Sequence, residues 1–112
     1  MDELLNLHCI KIKADTPRLL PDEIKLLLNQ ISAWKYFELK GEPRLEKSYK
    51  FDDFNQALAF TNQLARIADM EDHHPAILTE WGKVTVTWWT HRIKGLHKND
   101  FIMAAKTDQL QK

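Results

Sequence analysis

At 112 residues, with 44 % hydrophobic and 29 % charged side chains and only three glycines and four prolines, the chain is long enough to bury a substantial core and too apolar to be disordered. Sixteen basic and sixteen acidic residues cancel, leaving none of the cationic excess that usually marks contact with nucleic acid. The single cysteine, Cys9, cannot close an internal disulfide, no apolar run approaches the ~20 residues that span a bilayer, and the acidic opening MDELLNLHCI lacks the basic segment of a secretory leader; a cytoplasmic protein with one domain over 1–112 is expected.

Residues 1–19 show no clear hydrophobic period and are expected to form an irregular lead-in. The stretch LPDEIKLLLNQI follows. Pro21 suits a first helical position, and Asp22 and Glu23 suit the positive end of a helix dipole. Ile24, Leu27, Leu28 and Ile31 then form a helical stripe. WKYFEL (34–39), KGEP (40–43) and RLEKSYKF (44–51) read as strand, turn and strand, with Leu45, Lys47, Tyr49 and Phe51 on one face.

A long helix is expected next, capped by Asp52 or Asp53, with Phe54, Ala57, Leu58, Leu64, Ala65 and Ala68 on one face. Phe60 and Ile67 lie off that stripe, which implies cover on more than one side. Pro75 cannot continue the helix and pushes His74 toward an extended conformation. AILTEW (76–81) and GKVTVTWWTH (82–91) read as a second hairpin turning near Gly82. Alternation puts Val84, Val86, Trp88 and Thr90 on one face of its last strand, and Thr85, Thr87, Trp89 and His91 on the other. Gly95 breaks the chain before a final helix at about 98–110. The order helix, two strands, helix, two strands, helix predicts an α+β fold, a four-stranded antiparallel sheet with three helices on one face.

The stretch EDHHPA (71–76) sets His73 and His74 side by side where the long helix ends. Helix C-terminal carbonyls and the nearby acids Asp69, Glu71 and Asp72 favour a protonated ring there, the state a general acid needs. The competing reading is structural, with one ring capping helix carbonyls and the other exposed. His91 closes the last strand; a strand end beside a helix end makes a pocket rim, though an exposed strand terminus accounts for the same position. Asp100 falls in the first turn of the final helix, where it complements the dipole and can bond back to a backbone N–H. His8 and Cys9 lack the spacing of a metal site. No glycine-rich phosphate loop is present, and neither Ser32 nor Ser48 has a paired base. Trp81, Trp88 and Trp89 fit an aromatic pocket, a core or a subunit interface.

Taken together, Glu71-Asp72-His73-His74-Pro75, the aromatic Trp81, Thr90-His91 seventeen residues after the second histidine, Gly95-Leu96 and Asp100 resemble the pterin-4a-carbinolamine dehydratase family, in its bacterial form. The resemblance covers roughly residues 19–108. It implies the four-stranded sheet with three helices on one face. It also implies removal of water from a 4a-hydroxytetrahydropterin to give quinonoid dihydropterin, recycling the pterin of aromatic amino acid hydroxylases, without a metal or organic cofactor. Assembly as a homodimer or homotetramer and a functional link to a hydroxylase go with it, while the zero net charge and the lack of a long apolar run argue against direct nucleic-acid or membrane contact.

The family's catalytic histidines match His73, His74 and His91, and its acids match Asp72 and Asp100. Pro75 and Thr90 fall in its substrate-contacting segments. On this reading His73 and His91 are the acid–base pair and His74 orients the pterin. Asp72 and Asp100 orient imidazoles or meet pterin N–H groups. His97 stands where many members carry a serine that caps the last helix; losing that cap costs ~1 kcal/mol and bears on where the helix starts. The alternatives are a protein-binding dimerisation or transcriptional coactivator module with little catalysis, and a three-histidine zinc site.

Overall fold

Pro21 opens the first helix, α1 (Pro21–Leu28), in the computed structural model, which describes residues 3–111. The Leu20 N–H donates to Glu23 Oε1 at 2.8 Å, so a donor that the helix start leaves without a backbone partner is satisfied by a side chain. A 3-10 turn (Asn29–Ile31) prolongs α1, and Ile24 and Ile31 are its buried contacts with the core.

The first hairpin, β1 (Lys35–Leu39) and β2 (Glu42–Lys50), turns in two residues rather than the four expected. Lys40 (φ 53°) and Gly41 (φ 78°) both take positive φ. That is the turn geometry that matches strand twist, and it lets the ladder run down to Leu39 and Glu42. Asp53 then caps α2 (Phe54–Glu71), its Oδ1 accepting from the Gln56 N–H at 2.8 Å. The second hairpin is β3 (Ala76–Glu80) with β4 (Lys83–Trp88), and α3 (Lys98–Gln109) ends the fold. The sheet order is β1-β2-β4-β3, antiparallel throughout. The α+β architecture and its element order are those read from the sequence.

β2 and β4 are the central strands, and their inward side chains set the core. Leu45, Tyr49, Val84, Val86 and Trp88 pack with Ile31, Trp34, Phe60, Leu64, Phe101 and Met103 in one buried cluster. Two polar ties fix α3 on the sheet. The Trp88 Nε1–H donates to Thr107 Oγ1 at 3.1 Å. Asp108 accepts from Tyr49 Oη, Lys47 Nζ and Trp34 Nε1 at 2.6, 2.7 and 3.1 Å. No helix among the described residues is long and apolar enough to cross a membrane.

α2 buries only part of the face expected, and adds Phe60 to it. Ala57, Phe60, Leu64 and Ala68 are buried, whereas Phe54 and Leu58 are exposed. The helix carries apolar residues around much of its circumference, and the sheet selects the stripe at i, i+3, i+7 and i+11. Leu64→Ala is therefore expected to cost about 2–5 kcal/mol, and Leu58→Ala no more than about 0.5 kcal/mol, as measured by chemical denaturation.

Candidate active site

Four chain segments meet at one end of the molecule: the last turn of α2, the residues after β4, the first turn of α3, and residues 9–12. Residues 9–12, 71–76 and 89–92 line an open cleft of ≈ 740 Å³, with the first turn of α3 behind it. His73, His74, His91, Asp72, Pro75 and Thr90 all line it. Asp100 lies behind it, fully buried.

The end of α2 aims the paired histidines. Asp72 takes a left-handed conformation (φ 51°, ψ 44°), which a short polar side chain tolerates. The His73 N–H then returns to the Ala68 carbonyl at 3.1 Å, closing the helix with its own backbone. No imidazole is needed as a cap. The two rings diverge instead: His73 is 8 % exposed and turns inward, while the His74 side chain is 57 % exposed.

His73 is the most constrained group of the site. Its Nε2 lies 2.7 Å from Asp100 Oδ1, and its ring stacks on Trp88 with centroids 5.8 Å apart and planes within 8°. Asp100 Oδ2 accepts from Thr90 Oγ1 at 2.7 Å and from the His97 N–H at 3.0 Å. A buried carboxylate must be compensated, and here an imidazole, a hydroxyl and an amide do it. The capping bond expected of Asp100 is present, but it is one of three.

β4 ends at Trp88, earlier than expected. Thr90 pairs instead with Gly95 across a tight bridge, its N–H donating to the Gly95 carbonyl at 3.0 Å. A side chain at Gly95 would collide with that of Arg18. His91 opens a 3-10 turn (His91–Ile93) rather than closing a strand. Its Nδ1 lies 3.3 Å from Glu42 Oε1 on β2, and its side chain is 78 % exposed. His74 Nε2 lies 2.9 Å from Asp69 Oδ1.

Each of the three cleft imidazoles thus meets a carboxylate through one ring nitrogen: His73 with Asp100, His74 with Asp69, His91 with Glu42. The second nitrogen of each makes no hydrogen bond within the described residues. Such carboxylates fix ring orientation and tautomer. Among those residues, no three His, Cys, Asp or Glu side chains gather as a metal-binding set.

Two neighbours of the cleft escaped the sequence. Glu42 is 49 residues from its histidine and belongs to the other hairpin. Residues 9–12, within the expected lead-in, form a wall. Burial is the main reason that the Cys9 thiol is pushed up to about 12, with the Glu71 and Asp100 carboxylates adding to it; it is no thiolate nucleophile. Burial would also raise the Glu71 carboxyl. Hydrogen bonds from the Cys9 N–H and His8, together with the charges of His8 and Lys106, outweigh it and hold Glu71 below the usual carboxylate range. Of the tryptophans, Trp88 is core, Trp89 lines the cleft with the Arg44 guanidinium 4.0 Å from its ring centre, and Trp81 is 69 % exposed at the β3–β4 turn.

His97 replaces the serine cap rather than abolishing it. Its Nδ1 accepts from the Asn99 N–H at 3.0 Å, and α3 starts at Lys98. Burial is the largest influence on this ring and lowers its pKa, opposed by Asp100. Folding therefore favours the neutral form, and a protonated Nδ1 could not accept the capping bond. The stabilisation is present above the unfolded value of about 6.5 and is lost as pH falls through the lower folded value. His97→Ser, which keeps a capping oxygen, is expected to lose less Tm than the parent as pH falls below about 6.5, as read by calorimetry.

The architecture is that of a known structural class. A Brucella melitensis protein described as a transcriptional coactivator/pterin dehydratase is 31 % identical, with a TM-score of 0.76 over 86 % of this chain and 100 % of its own. A pterin dehydratase-like protein described as a RuBisCO assembly factor of the alpha-carboxysome shares the fold, with a TM-score of 0.59 and 24 % identity over 70 % of this chain and 88 % of its own. Residues 17–110 match the family described as pterin 4 alpha carbinolamine dehydratase, and the chain belongs to that family.

Proposed function

We propose that the chain is a hydro-lyase that dehydrates 4a-hydroxytetrahydropterins to quinonoid dihydropterins, recycling the pterin used by aromatic amino acid hydroxylases. The observation that carries this reading is the cleft lined by three imidazoles, each held by a carboxylate through one ring nitrogen.

The reaction moves two protons. Hydroxide leaves poorly, so the C4a oxygen takes a proton as the C–O bond breaks and departs as water. The N5 lone pair forms the C4a=N5 bond, and N5 gives up its proton to a second group. One imidazolium and one neutral imidazole serve both steps near neutral pH, each worth typically about 10²–10⁴-fold. Because N5 already drives the expulsion, neither a metal nor an organic cofactor is required.

His73 and His91 are assigned the proton transfers. When His73 carries a proton, Asp100 supplies the compensating charge at 2.7 Å. His91, largely in solvent, can re-equilibrate its proton between turnovers. His74 orients the pterin, Asp72, Pro75 and Thr90 shape its surroundings, and Trp89 offers it an aromatic surface. We place the protein in the cytoplasm, as a homodimer or homotetramer, without direct contact with nucleic acid or membrane.

A second reading, as a protein-binding module, draws on the exposed apolar side chains Leu58, Met70, Leu78 and Trp81 and on the coactivator and assembly-factor descriptions of the two relatives. Catalysis separates the two. With hydroxylase-generated carbinolamine in a stopped-flow assay, spontaneous dehydration subtracted, His73→Ala and His91→Ala are each expected to lower kcat by about tenfold to a thousandfold with the circular dichroism unchanged. Unchanged turnover in both variants would end the assignment. Dialysis against a chelator is expected to leave the parent's rate intact; a loss restored by zinc would favour the metal alternative.

A further inference from the structure

We infer that residues 9–12 are a working wall of the substrate site, closed over the bound pterin and held there by Glu71, Arg92 and, above all, the positioning residue Asn99. This rests on the pterin reading of the cleft and adds a segment that precedes the family match at residue 17.

Cys9, Ile10, Lys11 and Ile12 line the same cleft as the histidines, yet this stretch has no helix or strand of its own. Side chains hold it. The Cys9 N–H donates to Glu71 Oε1 at 2.8 Å, while Glu71 Oε2 lies 2.7 Å from His8 Nδ1. The Ile10 N–H donates to Asn99 Oδ1 at 3.0 Å, and Asn99 Nδ2 donates back to the Ile10 carbonyl at 2.8 Å. Arg92 donates to the Ile12 carbonyl at 3.1 Å. Asn99 is 1 % exposed, so both ends of a buried amide serve a single residue of this wall, as a neighbouring strand would.

The anchors are placed where the site is. Glu71 immediately precedes Asp72, Arg92 immediately follows His91, and Asn99 immediately precedes Asp100. Beyond the wall the chain is tied down again: Leu4 is 2 % exposed in the core, and the Leu19 N–H donates to the Leu96 carbonyl at 2.9 Å. A segment fastened at both ends, with His8, Ile10 and Lys11 exposed between, opens at far lower cost than the sheet. A ligand that touches only its closed form draws it shut. The wall then contributes to binding, and the proton transfers stay with the histidines.

Cys9, the chain's only cysteine, is a reporter within the wall. It is half-buried, and its thiol faces the Asn99 carbonyl at 3.9 Å. The full chain would be alkylated with iodoacetamide with and without 7,8-dihydrobiopterin, binding being followed by tryptophan fluorescence. Saturating pterin is expected to slow alkylation by about tenfold or more. Asn99→Ala is expected to speed it by a similar factor without ligand, and to raise KM about tenfold with kcat held within about twofold.

Should Asn99→Ala fail to fold, the exposed Arg92→Ala carries the same expectations for alkylation and KM. Fluorescence quenching with alkylation and KM both unmoved overturns the wall alone. A fall in kcat at unchanged KM also overturns it, because Asn99 would then act through Asp100 and His73. Absence of any pterin binding overturns the proposed function and the wall together.

Discussion

The Asp100 carboxylate is the point on which the geometry of the candidate site depends. It is wholly buried at the junction of three elements. An uncompensated charge there would cost several kcal/mol, so the surroundings must supply donors, and each comes from a different place. His73 comes from the end of α2, Thr90 from the chain beyond β4, and the His97 amide from the start of α3. Satisfying one charge thereby fixes the mutual position of a helix end, a strand end and a helix start. The stacking of His73 on Trp88 extends that constraint into the core, where Trp88 is tied to Thr107.

The three imidazole–carboxylate couples are chemically alike and physically different. His73–Asp100 lies out of solvent, where interactions are strong and salt has little reach. His74–Asp69 and His91–Glu42 lie in water, where such pairs are weak and screened. The site thus combines one rigid ring with two adaptable ones. For the dehydration proposed above, that distribution would supply a fixed proton position on one side of the substrate and exchange with bulk water on the other.

Much of this was legible in the sequence because its determinants are local. Pro21, Asp53 and Pro75 mark helix boundaries through their own backbone chemistry, and alternation along 84–90 marks the buried face of β4. The misreadings have equally specific causes. α2 carries apolar residues on several sides, and only the sheet decides that Phe60 is buried and Leu58 is not. The cap that a serine would supply is kept at His97, because an imidazole nitrogen accepts a hydrogen bond as a hydroxyl oxygen does. Glu42 reaches His91 across two hairpins, a pairing no spacing rule encodes. Residues 9–12 show no period because side chains, rather than a ladder or a helix, satisfy their backbone.

Strand parity has a further consequence. Thr90 and His91 are neighbours, yet one is sealed against Asp100 and the other stands in solvent. Thr90 continues the two-residue repeat of Val84, Val86 and Trp88, each buried completely, whereas His91 leaves it by opening the 3-10 turn. A slip of β4 by a single position would turn Thr90 away from the buried carboxylate and carry its hydroxyl out to water. The hairpin's ladder, from Glu80–Lys83 to Ala76–Thr87, therefore works as a ruler: counting residues from a distant turn determines which chemical group the interior receives.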